Sequence, residues 1–397
     1  MKKQTLVIIL LAVLVVSCLA LTACQKHEHE FGEWTVVKQP TCTQDGSKER
    51  VCECGEKETE VVDITGIHNF QEADTCEYCG LDIADVAVDS YNMSATTDDN
   101  VKGYVVPRMY GKYDAYIKGA GAMKYYGGSP FEVDGYNVVD AYIEKGVTSI
   151  SDYAFRNCYS LTSVIFEEGS QLTSIGNDAF YGCKSITSIS IPESVTSIGN
   201  HAFSSCASLK SVVIPDGVIS IGDDAFYGCI SLTSITIEGA PQIGRAAFEY
   251  TPYYQNADNW QNKVLYIGNC LIEAKNTIET CTIKEGIKVI ADGAFAGCTD
   301  ITSITIPSSV TSIGNDAFYG CKSLISITIP ESVTSIGFAA FYNCNSLTSV
   351  TFADPNGWYR TTTEGATSGT SLTLTDASRN AIYLTSTYRS YYWYKNN

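Results

Sequence analysis

Ile306-Pro307-Ser308-Ser309-Val310-Thr311-Ser312-Ile313-Gly314-Asn315-Asp316-Ala317-Phe318-Tyr319-Gly320-Cys321-Lys322-Ser323-Leu324 runs directly into Ile325-Ser326-Ile327-Thr328-Ile329. The wording recurs: Ser174-Ile175-Gly176-Asn177-Asp178-Ala179-Phe180-Tyr181-Gly182-Cys183 returns nearly verbatim at residues 312–321. Aligning the chain on Ala-Phe gives Phe155, Phe180, Phe203, Phe226, Phe248, Phe295, Phe318 and Phe341, most of them 23 residues apart. The step of 25 to Phe180 holds the extra Glu167-Glu168-Gly169-Ser170-Gln171, and the step of 47 to Phe295 is two periods with a degenerate unit. A period of 23 residues lies within the roughly 20–29 of leucine-rich repeats.

Each part of the unit has a physical reason. Leu324, Ile327 and Ile329 alternate with Ser326 and Thr328, which predicts a short strand with its β-branched residues inward and hydroxyls outward. Pro330 ends it, having no amide hydrogen for a ladder. Ile313 opens the next arm, Gly314 is expected to take a turn conformation closed to other residues, and Asn315 or Asp316 to cap a one-turn helix carrying Ala317, Phe318 and Cys321. A single such coil has no second layer on which to bury its apolar side chains, so the units must stack.

These motifs resemble the BspA-like leucine-rich repeat of bacterial surface proteins. The resemblance implies a leucine-rich-repeat solenoid, a right-handed β/α-type superhelix with short parallel strands on one side and short helices or turns on the other. It also implies adhesion to a protein ligand on a host matrix or a neighbouring cell. The solenoid spans residues 149–352, with eight clear coils and an irregular one, about 249–290, carrying a hairpin that turns at Gly268-Asn269. Its open ends need covering. Residues 83–148 supply a linker and an amino-terminal β cap, in which residues 113–123 are expected to lay an extra strand on the first coil. Residues 353–397, with Tyr391-Tyr392-Trp393-Tyr394, read as an aromatic carboxy-terminal plug, with an aromatic platform presented to sugar or protein as the alternative.

The amino terminus reads as an export signal over residues 1–23: Lys2 and Lys3, an apolar run over residues 6–16, then Leu21-Thr22-Ala23-Cys24. That tetrapeptide resembles a bacterial lipobox, which implies a lipid on Cys24, with Cys18 the second choice, and attachment to the outer face of a membrane. Residues 24–82 concentrate His29, Cys42, Cys52, Cys54, His68, Cys76 and Cys79, together with His27. Cys76-Glu77-Tyr78-Cys79-Gly80 has the knuckle spacing for two thiolates on one metal. The stretch resembles small zinc-ribbon-like modules, which implies one or two structural zinc ions; disulfides are the alternative for exported cysteines.

A formal charge of −18 and a pI near 4.6 argue against nucleic acid as a partner, since no basic cluster offers itself to phosphates. No G-x-S-x-G elbow, His-Glu-x-x-His helix or phosphate loop is present, which points away from an enzyme. His201 takes the turn position held by Asp178, Asp224 and Asp316 in sister units and reads as a surface residue. The repeat cysteines Cys158, Cys183, Cys206, Cys229, Cys298, Cys321 and Cys344 read as small buried residues, one per coil. Tyr253, Tyr254 and Trp260 of the irregular coil are the candidate ligand-facing residues, because insertions in solenoids often map to a binding face. Tyr181, Tyr227, Tyr319 and Tyr342 share one repeat position and read as covering the turn side of each coil, with a ligand-facing stripe as the alternative. A surface that binds cell-wall or host glycans, or a plain spacer, stands as the alternative to a protein-binding one.

Overall fold

The computed structural model describes residues 32–38, 46–52, 55, 57–62, 83–87, 89–108, 112–133 and 135–396. The chain divides into two compact units, residues 1–67 and 68–397. In the first, Thr35–Lys38, Gly46–Val51 and Lys57–Val62 form an antiparallel three-stranded sheet. Its register sets opposite charges against each other, directly for Arg50–Glu58 and Lys48–Glu60 and diagonally for Lys57–Glu49. Arg50 meets Glu58 at 2.5 Å, Lys57 meets Glu49 at 2.6 Å and Lys48 meets Glu60 at 3.1 Å, while Lys48 and Arg50 also lie over the Trp34 ring.

The second unit is a parallel-strand solenoid of about 10 turns with little helix. It starts with Asp89–Asn92, Asn100–Pro107 and Tyr113–Ala122 in antiparallel order. Tyr113–Ala122 then turns parallel and pairs with both Val138–Ile143 and Val147–Ile150, laying the lead-in strand on the first coil. From there two parallel ladders climb together. One joins the two-residue strands Ser174–Ile175, Ser197–Ile198, Ser220–Ile221 and Gln242–Ile243. The other joins Ser188–Ser190, Ser211–Ile214 and Ser234–Ile237. The isoleucines point inward and the serines and threonines outward, as pleat alternation requires. Between the ladders runs a column of rings: Phe155, Phe180, Phe203, Phe226 and Phe248 are buried and stacked, with centroids 5.2–5.5 Å apart. Phe295, Phe318 and Phe341 resume the column.

The third side of each coil departs from expectation. Residues 199–206 and their equivalents form turns, not a one-turn helix. Asp178, His201, Asp224 and Asp316 adopt φ between 50° and 53°, a left-handed conformation that Asn, Asp and His tolerate better than most residues. Alternate amides then reach the next coil: Phe180 N donates to Ala202 O and Gly182 N to Ser204 O, both at 2.8 Å. The preceding Asn or Asp is spent in the same way. Asn177 Oδ1 accepts from Asn200 N, Asn200 Oδ1 from Asp223 N, and Asp223 Oδ1 from Arg245 N. Asn315 therefore caps the next coil, at Phe338 N, and no helix of its own. Gly314 is a correction of reason. Its φ is not left-handed; a Cβ there would stand 2.6 Å from Asp292 N, and at Gly199 2.6 Å from Asn177 N.

Both ends are covered. Ser129 Oγ donates to Ala154 O at the first coil. At the last, Tyr392–Lys395 pairs antiparallel with Ser335–Ile336, burying Trp393, while Asn380 of the helix Ala377–Ile382 donates to Val350 O.

Candidate functional site

The repeat cysteines sit beneath the turn side as buried free thiols. Cys183, Cys206 and Cys229 donate to the carbonyls of Phe155, Phe180 and Phe203 at 3.1–3.2 Å. Burial pushes the Cys158 thiol up to about 12 and raises Cys183 as well, so these two sulfurs are poor nucleophiles. Their role is to fill and satisfy the turn.

Above them lies an interrupted tyrosine column. Tyr181 and Tyr227 are half-buried, whereas Tyr319 and Tyr342 are each 37% exposed. Ser204 breaks the column between Tyr181 and Tyr227. Tyr319 and Tyr342 pack edge to face with centroids 5.6 Å apart, and the Arg389 guanidinium lies over Tyr342 at 4.9 Å. At the other end Arg156 lies over Tyr181 at 4.8 Å. His201 is on this side with its side chain 43% exposed and Nε2 3.9 Å from Asp224.

The irregular coil spends its aromatic residues internally. Tyr253, Tyr254 and Trp260 pack half-buried against the core. Trp260 Nε1 donates to Tyr254 O at 2.7 Å, Tyr254 Oη to Glu273 at 3.0 Å, and Lys275 Nζ stands 3.4 Å from the Trp260 ring centre. The hairpin Val264–Ile267 and Cys270–Ala274 turns at Gly268-Asn269. Gly268 has φ 56°, and a Cβ there would meet Ile237 O at 2.5 Å.

The hairpin strand pairs with Val289–Ile290, yet two residues later the coils close on each other, Asp292 N donating to Ile243 O at 2.9 Å. Long side chains bridge the junction. Gln242 bonds Ser312, and Arg245 meets Asp316 at 2.8 Å. The two runs of coils and the carboxy-terminal tail thereby share one groove of about 660 Å³, lined by Ser174, Ser197, Ser220, Asp292, Ser335, Glu364, Tyr392 and Tyr394 among others. Burial, with the nearby Asp223 and Glu364 carboxylates, raises Asp292 to about 6 although both its oxygens accept from Asn315. Sequence reading missed this groove. Only the recurring Asn or Asp at residues 152, 177, 200, 223, 292 and 315 hinted at the ladder beneath it.

Of the expected metal ligands, Cys52 alone is described, buried at the end of Gly46–Val51. His27, His29, Cys42, Cys54, His68, Cys76 and Cys79 lie outside the described residues, as do Cys24 and Cys18. Among the described residues no group of three or more His, Cys, Asp or Glu is placed to hold a metal ion.

No curated protein matches the chain. Among solved structures it is similar to a leucine-rich repeat protein from Eubacterium ventriosum, at 29% identity over 66% of this chain and 72% of that one, with a TM-score of 0.36. It is similar also to a leucine rich cell surface protein from Faecalibacterium prausnitzii, at 21% identity over 68% and 96%, with a TM-score of 0.26. The family model described as BspA type Leucine rich repeat region matches residues 132–255 and 259–388 in six copies, which takes in the stacked rings, both ladders and the hairpin. The chain belongs to the BspA type leucine-rich repeat family.

Proposed function

We propose that the chain is an outward-facing binding protein, held at the outer face of a bacterial membrane by lipid on Cys24, that engages a protein ligand on a host matrix or a neighbouring cell. Family membership supports a binding role. The observation that carries it is the turn-side column, where Tyr319 and Tyr342 stand exposed beside Arg389 on a rigid stack. Tyrosine and arginine are the residues that most often dominate protein interfaces. Binding to immobilised extracellular-matrix proteins is the direct test. The double variant Tyr319→Ala/Tyr342→Ala should weaken capture by about tenfold or more, and unchanged capture would reject the column.

The amino-terminal features belong to the same reading. Cys24→Ser should abolish incorporation of labelled palmitate, whereas continued labelling would move the anchor to Cys18. The Cys/His module would hold structural zinc through thiolates such as Cys52. Chelator treatment should then release about one or two equivalents of zinc, and zinc-free protein with these thiols paired would favour disulfides.

A further inference from the structure

We infer that the groove between the two runs of coils is a binding site for a neutral, extended oligosaccharide. Gly176, Gly199 and Gly222 line its floor, where the missing Cβ lets each coil close on the backbone of the one before, at Asp152 N, Asn177 N and Asn200 N. Along one wall Ser174, Ser197 and Ser220 stand in register, one per coil. Among the described residues these three hydroxyls make no side-chain hydrogen bond, whereas their counterparts across the junction, Ser312 and Ser335, bond each other and Gln242. A hydroxyl donates one hydrogen and accepts at two lone pairs. A row of uncommitted hydroxyls therefore complements a ligand that is itself a row of hydroxyls.

The other wall supplies what a sugar's C–H face needs. Tyr392 and Tyr394 project from alternate positions of the terminal strand, with rings within 10° of parallel and centroids 6.4 Å apart. Charge settles between ligand classes. Asp152, Asp223, Asp292 and Glu364 line the groove with no lysine or arginine among the lining residues, which repels phosphates and acidic polymers. Asp292 spends both oxygens on Asn315, Asp152 both on Asn177, and Asp223 one on Arg245 N, so little is left to hold a lysine or arginine side chain. Glu364 accepts from Tyr392 Oη at 3.5 Å through one oxygen and keeps the other to accept from a sugar hydroxyl.

This inference goes beyond the protein-binding reading and stands whether or not a protein ligand is found. Calorimetric titration of the exported chain with cellohexaose, chitohexaose, mannohexaose and maltohexaose, with decalysine as the basic control, tests it. At least one hexasaccharide should bind, and Tyr394→Ala should weaken it by about tenfold, the loss of one good contact. Because Tyr394 also belongs to the end cap, Ser197→Ala/Ser220→Ala provides a second measurement outside the core, expected to cost about threefold to tenfold per hydroxyl. No binding by any hexasaccharide to folded protein, binding indifferent to both variants, or binding of decalysine alone would each overturn the inference. A chain that captures matrix proteins but no sugar loses only this proposal; one that binds sugar but no protein loses only the other.

Discussion

The small amino-terminal sheet and the solenoid are both built of hydrogen-bonded strands, but they fix register by opposite means. In the sheet, unlike residues meet: Lys48 directly across from Glu60, Arg50 directly across from Glu58, and Glu49 diagonally with Lys57. In the solenoid, like residues sit on like: phenylalanine on phenylalanine, asparagine on asparagine or aspartate, serine on serine. Pairs of opposite charge specify one partner and then stop. A stack of identical side chains has no natural last member, and it stops only when a residue breaks the rule. Arg245 and Phe338 do so at the ladder position, having no side-chain acceptor, and each is followed by irregular structure, the hairpin in one case and the cap in the other.

The largest test of this contrast is the ring column. Phe203 is fully buried between Phe180 and Phe226, at 5.3 Å from each, and Phe203→Ala should cost about 3–5 kcal/mol in denaturant titration. Next comes the contact between ladder and neighbouring coil. Gly199→Ala drives a methyl to 2.6 Å from Asn177 N and is expected to cost about 1–3 kcal/mol by overpacking. A variant as stable as the parent would mean that the coils are more loosely stacked than described.

Ion pairs also occur in the lead-in to the solenoid, and there burial changes their sign. Asp114 is 1% exposed, held by Arg108 at 3.1 Å while Arg108 also binds Asp140 at 2.8 Å. Burial raises Asp114 to about 7 despite the guanidinium. An acid whose folded pKa lies above its unfolded value favours folding most when protonated, so this contribution is present at low pH and lost as pH rises through about 7. Asp114→Asn should raise Tm at pH 8 by about 2–4 °C, equivalent to about 1 kcal/mol, and change little at pH 4. An equal gain at both pH values would assign the effect to packing. The smallest effect belongs to the sheet: Arg50→Ala removes an exposed pair and should cost about 0.2–1 kcal/mol, read as faster amide exchange over residues 46–62. A loss larger than that of Phe203→Ala would reverse the contrast.

Much of this was legible in one repeat. The phenylalanine spacing gave the period, Pro330 the strand end, and Gly268-Asn269 the hairpin turn. The helix expectation failed because Gly-Asn-Asp reads locally as a cap, while the Asn315 carbonyl is committed to Phe338, one coil away. That bond appears only when units are compared as a stack. Tyr253, Tyr254 and Trp260 were singled out for their aromatic character, yet Lys275 and Glu273, which engage two of them, follow at distances no local pattern announces. The groove was harder still, since it joins Gln242 to Ser312 and both to Tyr392 and Tyr394 from the far end of the chain.

The asparagine ladder has one consequence for how the molecule can vary. Every rung is satisfied by the rung beside it, so a whole unit can be gained or lost without leaving an orphaned group, whereas losing part of one cannot. Each unit adds one strand separation, about 4.8 Å. Tandem duplication in the gene would therefore lengthen the protein in equal steps, as rungs lengthen a ladder, while its two covered ends and the junction groove travel unchanged.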